Sequence, residues 1–84
     1  MINEKTHKLV LFNDDMHDFA YVTASLIKYC DHTNLQAEQC VVIADGVGNC
    51  TVKEGSFLDM MEIKTSLERL ELITEIEDHE SYMY

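Results

Sequence analysis

Residues 8–18, KLVLFNDDMHD, constrain the fold more than any other stretch of the chain. Leu9, Val10, Leu11 and Phe12 make a continuous apolar run that stops abruptly at Asn13, Asp14 and Asp15. So short an apolar run, closed by turn-forming residues, reads as a buried strand. From Phe19 onward the pattern is helical. The acidic triplet therefore belongs to a strand-to-helix turn, on a rigid support and facing water. Asn and Asp at such a place form Asx turns and cap helices. The same oxygens also form a cluster of acceptors for a cation, either a metal ion or an ammonium group.

Beyond the triplet, a helix is expected over 18–29, capped by Asp18, with Phe19, Val22, Leu26 and Tyr29 on one face. Thr33-Asn34-Leu35-Gln36 fits a capping box and opens a second helix, expected to reach Ala44. Ala37, Cys40, Val41 and Ala44 line its inner face. Val42 and Ile43 widen that stripe and suggest burial on more than one side. Asp45-Gly46-Val47-Gly48 should stop the helix, with Gly46 as its left-handed cap. A short strand is expected over 47–53. Ser56 with Asp59 then caps a third helix, whose apolar face is Met60, Ile63, Leu67 and Leu70 and which ends near Glu71 without a glycine. A last strand over 72–77 points Leu72, Thr74 and Ile76 inward and Glu75 and Glu77 outward. The order β-α-α-β-α-β in 84 residues predicts one small α+β domain: a three-stranded antiparallel sheet with three helices on one face. The domain is expected over 8–77, with a flexible start at 1–7 and a loose tail at 78–84.

Composition narrows the partners. The formal net charge of −10 argues against nucleic acid and against an anionic membrane surface, both of which require clustered Lys and Arg. It suits a cationic ligand or a basic partner, and equally serves plain solubility. Cys30, Cys40 and Cys50 are odd in number, lie in apolar contexts and match no zinc spacing. They read as reduced core thiols. The first residues, MINEKTHK, contain no apolar leader, and no apolar run approaches membrane-spanning length. The cytoplasm is the expected location.

With these residues in place, VLFNDD before a helix, AEQ within the second helix and the G-x-C of Gly48–Cys50 resemble the ClpS family, the N-degron adaptors of the bacterial Clp protease. The resemblance spans residues 9–77. It implies an adaptor rather than an enzyme, with no cofactor. Its ligand would be the first residue of a substrate protein, Leu, Phe, Tyr or Trp, handed on to the N-domain of a Clp AAA+ ATPase. Carried over by position, Asn13, Asp14, Asp15 and Asp45 would hold the free α-ammonium. Phe19, Val22, Val41, Ala44 and Leu72 would wall a pocket for the side chain. Phe19 stands where the family commonly has a Met that screens out β-branched residues, and Asp45 where it has a His. Asp14, Asp15 and Asp45 would then crowd and raise one another's pKa. The Pro that commonly follows the acidic pair is replaced by Met16-His17-Asp18. The family's ATPase-contacting residues fall on Ser56 and Met61, and only seven residues precede the first strand. Both departures bear on delivery rather than on ligand capture.

Two other readings follow from the same residues. Asp14, Asp15, His17 and Asp45 are candidate ligands for a divalent cation. A ClpS-like fold can also serve only to dock a protein partner. Nothing in the order of the four His and three Cys suggests nucleophilic catalysis.

Overall fold

The computed structural model describes residues 6–78. The expected flexible start and loose tail thus fall almost wholly outside the described residues. Strand β1 (His7–Phe12) is the middle of a three-stranded sheet, flanked by β2 (Asn49–Gly55) and β3 (Thr74–Asp78), both antiparallel to it. The central position explains the unbroken apolar run: Leu9, Val10 and Leu11 are all at most 3 % exposed. Val10 lies on the face away from the helices, between Thr51 and Glu75. His7 is already in register with Gly55 and Asp78, and its Nε2 lies 3.1 Å from the Asp78 carboxylate. Pairing therefore starts one residue before the expected first strand, and the last strand runs over Thr74–Asp78 instead of 72–77. Cys50 and Val52, two residues apart in β2, share the helix-facing side. A bulge at Val52, which has no residue opposite it in β1, breaks the alternation so that Lys53 also turns to the helices, its Nζ donating to the Cys30 carbonyl at 3.2 Å.

Three helices cover the face that carries Leu9 and Leu11: α1 (Phe19–Cys30), α2 (Asn34–Val47) and α3 (Phe57–Arg69). Asp18 caps α1 by accepting the Tyr21 N–H at 2.9 Å. Thr33 and Gln36 form the reciprocal capping box of α2, at 3.1 and 2.9 Å. Ser56 caps α3 through the Asp59 N–H. Leu26, Cys30, Ala37, Met60 and Leu67 meet the two strand leucines in one buried cluster. Each such leucine contributes about 1.5–3 kcal/mol of burial. The small inner residues of α2 bring that helix close to the sheet. Val42 and Ile43 face solvent, against the expected wider stripe, because the core contacts one side of α2 only.

The end of α2 also differs from expectation. Gly46 is helical, and Gly48 at φ 104° is the left-handed cap, its N–H donating to the Ala44 carbonyl at 2.8 Å. The sequence offers two glycines, and a tertiary bond selects between them. The Asn13 N–H donates to the Gly48 carbonyl at 2.9 Å, which ties the cap to the end of β1. The second strand accordingly begins at Asn49. At the end of α3, Glu71 takes the left-handed conformation at φ 67°. The Leu72 N–H returns to the Leu67 carbonyl at 3.1 Å.

Candidate functional site

The Asn13–Gly48 bond and the neighbouring bond from the Phe12 N–H to the Ile73 carbonyl, both 2.9 Å, fix where the chain leaves the sheet. They set the acidic turn beside the last turn of α2 and the segment before β3. A cleft of about 290 Å³ opens there between α1 and α2. Phe19, Val22, Val41, Ala44 and Leu72 line it, and so do Asn13, Asp14 and Asp45. Val22, Ala44 and Leu72 are buried and form its floor, whereas Phe19 is 48 % exposed at the mouth. Asp15 is the one candidate that does not line the cleft; it faces solvent. Eight of the nine residues picked out in the sequence thus border one space, five apolar and three polar.

Asp14 is the most constrained of the polar group, with its side chain 7 % exposed. One carboxylate oxygen accepts the Met16 N–H at 2.7 Å, and the other is paired with Nδ1 of His17. Burial by itself raises the carboxyl pKa. The Met16 amide and the His17 imidazole outweigh it and hold the group below its ordinary value of 3.8. This reverses the rise expected from crowded carboxylates, because Asp15 turns away and His17 supplies Asp14 with a partner. Asp45 sits exposed in the last turn of α2. That turn has no basic residue, so the partial negative charge of the helix end is left uncompensated beside the cleft. An acidic lip on a helix C-terminus above an apolar floor is electrostatically suited to a group with a cationic end and an apolar body.

By sequence, His17 is a candidate only for the metal alternative. In the structure it lines the cleft, pairs with Asp14 and stacks on Tyr21, with ring centroids 4.9 Å apart and planes at 11°. The signal was its spacing, three residues after Asp14 and four before Tyr21. Leu11, Phe12, Asp18 and Val42 complete the lining. Among the described residues, no three His, Cys, Asp or Glu side chains are grouped to hold a metal ion. Among the same residues, no helix is long and apolar enough to cross a membrane.

The family model described as "ATP-dependent Clp protease adaptor protein ClpS" matches residues 3–75. Comparison with curated protein sequences returns no match. Among solved structures, the chain is similar to Agrobacterium tumefaciens ClpS2 bound to L-phenylalaninamide, with 18 % sequence identity and a TM-score of 0.84. The similarity covers 92 % of this chain and 100 % of the other, and at that identity it speaks for the fold. The sheet order, the helices and the family match agree, and this chain belongs to the ClpS family of Clp protease adaptors.

Proposed function

We propose that this protein is an N-degron adaptor whose cleft grips the first residue of a substrate protein and which passes that substrate to a Clp ATPase. The observation that carries the reading is the meeting of Asn13, Asp14 and Asp45 with an apolar floor of Val22, Val41, Ala44 and Leu72 in one cleft. A free α-ammonium needs oriented acceptors to replace its water, since an unpaired charge is costly to bury. Asn13 Oδ1 and the Asp14 and Asp45 carboxylates fill that role, and the negative end of α2 favours the same charge. A Leu, Phe, Tyr or Trp side chain fills the apolar part. Its burial contributes about 1.5–3 kcal/mol. Each charge-assisted hydrogen bond adds roughly as much. Micromolar affinity, about 8 kcal/mol, then requires two or more ammonium contacts as well as the filled pocket. The relative bound to L-phenylalaninamide supports the reading, because that ligand joins a free α-amino group to a bulky apolar side chain.

Fluorescence anisotropy with a panel of short labelled peptides tests it. Peptides beginning with Leu, Phe, Tyr or Trp should bind, and acetylating their N-termini should abolish binding. Equal affinity for acetylated and free peptides would leave a docking module without degron recognition. Delivery is a separate step, tested by whether the chain speeds degradation of a Leu-first or Phe-first reporter by a Clp ATPase and its peptidase.

A further inference from the structure

Outside the cleft, the fold brings together two thiols, Cys40 and Cys50. Cys40 projects from the core side of α2, and Cys50 is the second residue of β2. Their Sγ atoms lie 2.9 Å apart. Both sulfurs also reach the same carbonyl oxygen, that of Thr51, at 3.6 and 3.5 Å. A disulfide bond is about 2.0 Å long, so closure needs under about 1 Å of approach. The residues between the two sulfurs contain the left-handed cap at Gly48, which already folds α2 back onto β2.

We propose that Cys40 and Cys50 form a dithiol that reacts with small disulfides of the glutathione class and closes to an intramolecular disulfide. Cys50 is partly exposed and Cys40 is buried, so an external reagent reaches Cys50 first. The Cys50 thiolate attacks one sulfur of the reagent, and the first small thiolate leaves. Cys40 loses its proton to water and attacks Cys50 Sγ, and the second small thiolate leaves. Two protein thiols and one small disulfide become one protein disulfide and two small thiols, with two electrons passing to the reagent. Burial, reinforced by the adjacent Cys50, pushes the Cys40 thiol up to about 12, which makes the closing step slow near neutral pH. Cys30, on α1, shares the buried cluster and raises the Cys40 thiol a little further, and burial raises its own thiol to about 11. The bond would pin to β2 the helix that carries Val41, Ala44 and Asp45. The chemistry is independent of what occupies the cleft.

The full chain is equilibrated in graded ratios of oxidised to reduced glutathione, acid-quenched, unfolded and alkylated. Free thiols are then counted by intact mass, and links are mapped by peptide mass spectrometry. The expected result is the joint loss of two thiols, a Cys40–Cys50 linked peptide and an alkylated Cys30. In Cys50→Ser, at a partly exposed position and with folding checked by circular dichroism, Cys30 and Cys40 should both remain alkylatable. Three free thiols at every ratio would overturn the proposal. So would a glutathione adduct on Cys50 that never closes, a link through Cys30 or between chains, or joint loss of two thiols in Cys50→Ser.

Discussion

The cleft and the closed end of the core use the same kinds of side chain, yet one is open and the other is filled. Between α3 and the sheet, Leu9, Met60 and Leu67 are at most 1 % exposed and occupy the space themselves. Between α1 and α2 the facing residues are Val22, Val41 and Ala44, short side chains that stop before they meet. Phe19, the large residue that α1 contributes to the lining, is half exposed at the mouth instead of filling the gap. Side-chain volume, rather than hydrophobicity, separates a site from a core. A void between packed elements forfeits contacts on each wall. The bonds that anchor Asn13 and Phe12 keep the cleft's polar edge in place despite that loss.

The largest effect that would sharpen this contrast is at the closed end. Leu67→Ala should cost about 2–5 kcal/mol of stability in urea unfolding. Ala44→Leu on the cleft floor should instead change stability by less than about 1.5 kcal/mol and abolish binding of Leu-first and Phe-first peptides. A loss of stability equal to that of Leu67→Ala would mean that the cleft is ordinary core.

Asp14→Ala should weaken peptide binding by about 1.5–3 kcal/mol, read by anisotropy, while circular dichroism shows the fold retained. Unchanged affinity would remove Asp14 from the ammonium contacts. At the end of α3, Glu71→Gly should stabilise the chain by about 0.5–1 kcal/mol, because glycine takes the left-handed conformation without the side-chain penalty.

The smallest effect is in acid. Because Asp14 is held below 3.8, its contribution to stability is fully present above that value and is lost as pH falls through its lowered folded value. Urea unfolding of Asp14→Asn should lack this acid-side component.

The apolar run ending in Asn-Asp-Asp indicates where the first strand stops, and all three helix starts are legible as caps, because each depends on residues within one turn. The cleft walls were legible only through the family resemblance, since Val22 and Ala44 have the same local pattern as residues that close a core. The roles of His17, pairing with Asp14 and stacking on Tyr21, are not legible in the sequence, because they depend on how the turn folds rather than on the residue's type. The choice between Gly46 and Gly48 is hidden for a similar reason: local pattern accepts either glycine as the cap.

The sequence by itself determined the element order, the N-terminal helix caps and the acidic edge, all of which follow from propensity and from bonds between near neighbours. Tertiary structure decided which glycine ends α2, which carboxylates face the cleft, and that Cys40 and Cys50 meet. Each of these depends on a contact between segments far apart in the chain, where packing and long-range hydrogen bonds select among locally equivalent choices.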